Sequence, residues 1–332
     1  MKPKVAVIGT GGTISSIGAN PFDILDYIAN GVMLQADELV EKFADVHAFA
    51  DIIPVRYQAI PSYNITFEHW KGLLRTCDRL VADHPDLAGI VITHGTSSLE
   101  ESAYFLSLTA KVTLPIVLVG AQRPASAMST DAGLNLANAI RVAASPQSRG
   151  LGVLVVLNDE IQAAREVTKT STTRLQTFRS PDFGVLGHAD GDAIAYYRKP
   201  IRAVYPDTEF DVRDLDFLPR VDIIYSYVGS DGTAARAFVA AGAKGIVCAA
   251  FAPGFNGSAD NDVLIEAVKA HGTKVLISSR SGSGRTFKGR RHTENGFLIA
   301  DNLTPQKARI LLALALTVTQ DDAEIERMFA TY

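Results

Sequence analysis

Short, largely apolar and β-branched runs recur along the chain, at residues 5–9, 89–93, 115–120, 152–158, 222–227, 245–250 and 274–279. Turn residues follow each run, and most of the intervening stretches carry apolar residues at helical period. A run without polar alternation must be covered on both faces. Parallel strands also need a crossover of a dozen or more residues between them. The pattern therefore predicts an α/β fold with a mostly parallel sheet flanked by helices.

Helices are expected at 67–82, 98–110, 131–144, 232–241, 259–270 and 305–319. In the second of these, Leu99, Ala103, Leu106 and Ala110 share a face, and Glu100 and Glu101 occupy the first turn. Ser97 or Ser98, with a Glu three residues later, reads as a capping box. Thr304 followed by Pro305 reads as an N-cap and first helical position. Trp70, the only tryptophan, lies in the first helix and reads as core. The stretch 196–220 breaks the rhythm with Pro200, Pro206, Pro219 and a charge-dense FDVRDLDFLPR segment. It is expected to link a large N-terminal α/β domain (1–195) to a smaller C-terminal α/β domain (221–332).

Composition narrows the partners. Thirty-two basic against 36 acidic residues give a formal charge of -4, without the basic excess that nucleic acid or an anionic membrane surface demands. No apolar run approaches the roughly 18 residues of a membrane span. Cys77 and Cys248 cannot form a disulfide framework, belong to no C-x-x-C pair and read as packed thiols. The apolar stretch after the basic N-terminus is too short for a signal-peptide core. The expectation is a cytoplasmic protein whose partner is a small-molecule substrate. The histidines form no i, i+4 pair and have no Cys companion at ligand spacing, so no metal is expected. His94 reads as packed behind a strand end.

In such sheets ligands bind beyond the carboxyl ends of the strands. After the first run stands Gly9-Thr10-Gly11-Gly12-Thr13-Ile14. Ile14 occupies the place where a dinucleotide loop needs glycine, so a phosphate cradle is not expected. The loop instead offers two hydroxyls on a backbone able to approach a substrate closely. The plainer alternative is a tight turn whose threonines satisfy local backbone groups. After the second run, Thr93-His94-Gly95-Thr96-Ser97 places Thr96 where a strand ends and a helix begins. Helix N-terminal amides there favour developing negative charge. A third segment, Asn158-Asp159 followed by Val167-Thr168-Lys169-Thr170, supplies a lysine. Near Thr96 in an apolar crevice, its amine would have a lowered pKa and could act as a base. Two hydroxyls and a lysine make a nucleophile-and-base set without a His–Asp pair.

These three segments resemble the signatures of the bacterial asparaginase/glutaminase family. The similarity runs nearly end to end and includes Val119-Gly120-Ala121-Gln122-Arg123-Pro124, Phe210-Asp211-Val212 and Pro305-Gln306-Lys307-Ala308-Arg309. The resemblance implies hydrolysis of a side-chain amide through a covalent acyl-enzyme, with no metal or organic cofactor. It implies Thr13 as nucleophile, assisted by Tyr27 on a lid at 15–32, with Thr96 and Lys169 as a second polar set. The Ala121 carbonyl would meet the leaving amide nitrogen, and Ser62 would bind the substrate carboxylate. Family sites lie between subunits of a homotetramer, so a homo-oligomer (dimer or tetramer) is implied.

The sequence departs from the family where a substrate ammonium would sit. Ser97 stands in place of an aspartate and Tyr63 in place of a glutamine. The asparagine of the neighbouring subunit falls at Phe255 or Asn256. Its glutamate falls within 285–292, which holds Arg285, Lys288, Arg290 and Arg291 but no acid; Glu294 is the nearest carboxylate. The basic segment could equally be a solvated face. Ser and Asp serve about equally as N-caps, so Ser97 alone leaves the helix start intact. Together, though, the four changes remove partners of a cation. The expected substrate is an amide, or a related ester or lactone, whose acid part lacks the α-amino group; Tyr63 and Ser97 then line its binding site. An ordinary asparaginase/glutaminase and a non-catalytic small-molecule binder are the alternatives.

Overall fold

The first apolar run forms β1 (Lys4–Gly9), and the sheet of the N-terminal unit extends from it in both directions. The computed structural model describes residues 2–332, and the chain divides into two units, one ending at Arg213 and the other running Asp214–Tyr332. After β1 come α1 (Ala36–Lys42), β2 (Asp51–Arg56), α2 (Phe67–Asp83), β3 (Leu87–Thr93) and α3 (Leu99–Thr109). Then follow β4 (Ile116–Val119), α4 (Ala132–Ala144) and β5 (Leu154–Leu157). The five strands are parallel, in the order β5-β4-β3-β1-β2. The chain leaves β1 toward β2 on one side and leaves β3 toward β4 on the other. That reversal opens a crevice at the carboxyl ends of β1 and β3.

Both faces of the central strands are covered. Val5 and Val7 join Val91, Val117, Leu136 and Ile140 in one core, while Ala6 and Ile8, facing the other way, are equally inaccessible. This is why their sequences are unbroken apolar runs. Each such valine or isoleucine contributes roughly 1.5–3 kcal/mol by burial. β2 differs. It is an edge strand of alternating exposure that carries Pro54, whose missing N–H is tolerated where one side is unpaired. That proline and the partial exposure keep it out of the run pattern.

Beyond β5 the sheet turns antiparallel. β6 (Glu160–Ala163) follows a two-residue turn in which Asn158 and Asp159 take φ of 52° and 64°. Left-handed values at both turn positions match the twist of a hairpin, and Asn and Asp tolerate them. A separate ribbon, β7 (Thr168–Lys169) and β8 (Phe178–Arg179), comes next. Then β9 (Gly187–Ala189) and β10 (Ile194–Tyr196) complete the sheet.

The stretch 196–220, expected as a linker, is divided. Tyr205 and Thr208 bond back to the N-terminal unit, Tyr205 Oη donating to Leu114 O (2.8 Å) and Thr208 Oγ1 to Leu108 O (2.6 Å). Arg213 pairs with Asp78 at 2.8 Å. The boundary therefore falls after Arg213, because side chains between the prolines are used as packing and tethers.

In the C-terminal unit the order is β11 (Val221–Tyr225), α5 (Thr233–Ala240), β12 (Gly245–Ala250), α6 (Ser258–His271) and β13 (Lys274–Ser279). It closes with α7 (Arg290–Glu294), β14 (Leu298–Ile299), α8 (Pro305–Val318) and α9 (Asp322–Thr331). Its four strands are parallel and adjacent in chain order. Cys77 and Cys248 are free and buried, and burial pushes each thiol up to about 12, which leaves them unreactive. Among the described residues no helix is long and apolar enough to cross a membrane.

Candidate active site

The loops after β1 and β3 touch through glycine. A Cβ on Gly12 would lie 2.3 Å from Gly95 Cα, and one on Gly95 would lie 2.7 Å from Ser62 Oγ. Gly11 and Gly12 also hold φ of 92° and 90°, where an L side chain is strained. The two threonines of the first loop separate in role. Thr10 is a turn residue, its hydroxyl donating to Thr93 O at 2.7 Å and tying the strand ends together. Thr13 instead heads a 3-10 turn and faces a pocket, where its Oγ1 lies 2.9 Å from the Tyr27 hydroxyl.

Tyr27 comes from a loop whose base is zipped and whose tip is open. Ile17 N donates to Val32 O (3.0 Å) and Leu34 N to Ser15 O (2.8 Å), closing the base. At the tip Phe22 and Leu25 are 75% and 77% exposed.

The second pair is Thr96 and Lys169. Thr96 lies in the turn between β3 and α3 and accepts from Lys169 Nζ at 2.8 Å. The β7–β8 ribbon carries the lysine. Burial, the larger influence, lowers the Lys169 pKa, and Glu100 opposes it. By sequence Glu100 is only a first-turn helix acid. It is in fact buried, and its Oε1 faces the backbone N–H of Lys169 at 3.4 Å. The sequence did hold a signal: α3 is apolar on nearly every side, and an acid on a buried helix requires partners.

The expected capping box of α3 does not form. Ser98 occupies the N-cap without a cap bond, and its Oγ donates instead to Ser62 O at 2.6 Å. The serine thus fastens the segment carrying Ser62 and Tyr63 to the helix start. Likewise Thr304 is the N-cap of α8 in backbone only. Behind the strand end, His94 Nδ1 lies 2.7 Å from Gly95 O, and its Nε2 lies 2.9 Å from Ser102 Oγ. A carbonyl only accepts, so the proton sits on Nδ1 and Ser102 donates to Nε2. Trp70 Nε1 donates in turn to Ser102 Oγ at 2.8 Å. Burial pushes the His94 pKa down to about 4.

The pocket at the crevice is walled by Thr13, Ser16, Tyr27, Ile28, Met33, Pro61, Ser62, Tyr63, Thr96, Ser97 and the glycines at 12 and 95. It thus brings together Thr13, Tyr27, Ser62, Tyr63, Thr96 and Ser97 of the expected residues, and adds Ile28 and Met33, which the sequence reading missed. No carboxylate is among these lining side chains. Lys169 reaches the pocket only through Thr96, and Ser97 makes no hydrogen bond to Lys169. Ala121 is buried just past β4, outside the pocket wall.

In the C-terminal unit, Phe255 is half-exposed and stacks on His292 at 5.9 Å, and Asn256 Oδ1 accepts from Ser226 Oγ at 3.0 Å. Two cations of the basic segment are locally neutralised, Arg285 by Asp301 and Lys288 by Glu326. Arg290, Arg291 and Glu294 are exposed. Among the described residues no group of three or more His, Cys, Asp or Glu side chains is placed to hold a metal ion.

Comparison with known proteins identifies the family of both parts of the chain. The family description "Asparaginase, N-terminal" matches residues 4–202, and "Glutaminase/Asparaginase C-terminal domain" matches residues 220–329. The chain is 40% identical to L-asparaginase 2 of Bacillus subtilis over 330 residues, covering 99% of this chain and 87% of that protein. It is also 40% identical to a probable periplasmic L-asparaginase of Haemophilus influenzae, over 99% of this chain and 93% of that protein. Among solved structures, a probable cytoplasmic L-asparaginase from Campylobacter jejuni superposes with a TM-score of 0.94 at 39% identity, each chain covered in full.

Proposed function

The chain belongs to the asparaginase family of hydrolases acting on carbon–nitrogen bonds of amides, and from that premise we propose a threonine-nucleophile enzyme for amides lacking an α-ammonium. Thr13 Oγ attacks the amide carbon and forms an ester with it. The proton it gives up reaches the leaving nitrogen through neighbouring hydroxyls, Tyr27 first, and the C–N bond breaks to release ammonia. Water then adds to the ester carbon with the Thr96–Lys169 pair as base. The bond between the acyl carbon and Thr13 Oγ1 breaks, the hydroxyl regains its proton and the acid departs. Amides at the start of α3 suit the negative charge of both tetrahedral intermediates. The Ala121 carbonyl accepts from the leaving amide nitrogen, and Ser62 binds the carboxylate of the substrate.

The observation that carries the substrate reading is that two neutral side chains, Ser97 and Tyr63, line the pocket beside Thr96 and Ser62. A buried ammonium deprived of one partner costs about 3–5 kcal/mol, or roughly a hundredfold to a few thousandfold in affinity. Tyr63 and Ser97 make that end of the pocket neutral. The competing reading, an L-asparaginase proper, is favoured by the names of the relatives. Turnover of asparagine, glutamine, succinamate and glutaramate, with acid and ammonia both followed and Thr13→Ala as blank, separates the two. The desamino amides are expected to lead by about a hundredfold in kcat/KM. A clear preference for asparagine would overturn the substrate reading while leaving the nucleophile in place.

A homo-oligomer and a cytoplasmic location belong to the same proposal. The relatives are named for different compartments, and the two free buried thiols favour a reducing one. Sedimentation and cell fractionation test these points.

A further inference from the structure

α4 begins at the N-cap Asp131, yet the carboxylate accepts no backbone N–H of the helix's first turn. It turns instead to the loop after β4, accepting from Gln122 N at 3.0 Å and Arg123 N at 2.9 Å. One turn on, buried Asn135 donates its Nδ2 both to Asp131 Oδ2 (3.1 Å) and to Gly120 O (3.0 Å). Its Oδ1 accepts from Asn158 N at 2.9 Å, which ties the assembly to the β5–β6 turn.

These bonds fall on both sides of Ala121. The peptide unit preceding it is held by its carbonyl, that of Gly120. The unit following it is held by its N–H, that of Gln122. A trans peptide is planar with its N–H and C=O opposed, so fixing Gln122 N–H on Asp131 aims the Ala121 carbonyl away from α4. The loop borders the reacting groups: a Cβ on Gly120 would lie 2.9 Å from Thr96 Cγ2. A helix that spends its N-cap carboxylate on a loop gives up a bond usually worth about 1 kcal/mol, an unusual arrangement unless the loop geometry matters.

We propose that Asp131 and Asn135 are positioning residues that clamp the two peptide planes around Ala121 and so aim its carbonyl at the leaving nitrogen of the substrate. This rests on the assignment of the Ala121 carbonyl made above. An amide leaving group offers N–H donors to that carbonyl; the oxygen of an ester leaving group offers none. Loosening the clamp therefore penalises amides selectively, which a general loss of structure would not do.

The test compares Asp131→Asn and, separately, Asn135→Ser with the wild type on succinamate and its matched ester, monomethyl succinate. For the amide, kcat/KM is expected to fall about tenfold to a hundredfold in each variant, with the ester changed by less than about threefold. Equal losses on both substrates, or none on either, would overturn the proposal. Hydrogen exchange supplies an independent reading: the Gln122 and Arg123 amides are expected to exchange slowly in the wild type and faster in Asp131→Asn. Unaltered exchange would overturn the clamp itself. If the wild type hydrolysed neither substrate, the substrate reading would fail; the same comparison on asparagine and its β-methyl ester, with exchange at these amides, would then decide the clamp.

Discussion

Thr96 is 7% exposed, wedged where β3 gives way to α3, whereas its counterpart Thr13 meets a tyrosine on a loop whose Phe22 is 75% exposed. The Thr96–Lys169 half is backed by a ribbon, a buried glutamate and the His94–Ser102–Trp70 chain. The Thr13–Tyr27 half has one partner fixed to the sheet and one carried by a loop. The difference teaches a division of labour. One half is pre-organised by the core, and the other is completed only when the loop is in place, as suits a site that must admit substrate and then exclude water.

The largest effect tests which half carries the nucleophile. Thr13→Ala is expected to lower kcat by about ten-thousandfold or more, read from initial rates of ammonia release. The two assisting groups then separate the halves. Lys169→Met and Tyr27→Phe should each cost about a hundredfold or more in kcat. Only changes in the loop, such as Leu25→Ser, should alter the rate of proteolytic nicking at 18–31. If Lys169→Met speeds nicking equally, the two halves are not held differently.

Acid should weaken the fixed half. His94 has a folded pKa of about 4 against 6.5 in the open chain, so between those values the unfolded chain binds a proton that the folded one refuses. Stability is therefore intact above the upper value and declines as pH falls toward the lower, by up to about 3 kcal/mol. Urea titrations at neutral pH and near the lower value should show a smaller acid loss for His94→Gln than for the wild type. The smallest effect concerns Glu100, which opposes the lowering of the Lys169 pKa by burial. Glu100→Gln should move the acid limb of the kcat profile to lower pH while Glu100→Asp restores it. A limb that stays in place would remove Glu100 from the account of the lysine.

Much of the fixed half was legible. Continuous apolar runs announced the buried strands, and strand-end position singled out Thr96. What stayed hidden depended on tertiary context. Pro54 disguised an edge strand, because only the finished sheet reveals which strand has an open side. Ser98 carried a helix-capping pattern, but the nearby Ser62 carbonyl won its hydroxyl. Thr10 and Thr13 look alike in a glycine-rich loop, and only the approach of β3 decides which one binds backbone. The apolar pocket residues Ile28 and Met33 lie in a segment with no period to read.

The most direct measurement is to trap the acyl-enzyme. Wild-type protein mixed with succinamate and quenched in acid within one turnover would be digested and its peptides weighed. The account predicts one added succinyl group on the peptide containing Thr13, absent from Thr13→Ala. A succinyl group on the peptide containing Thr96, or turnover without any labelled peptide, would contradict it.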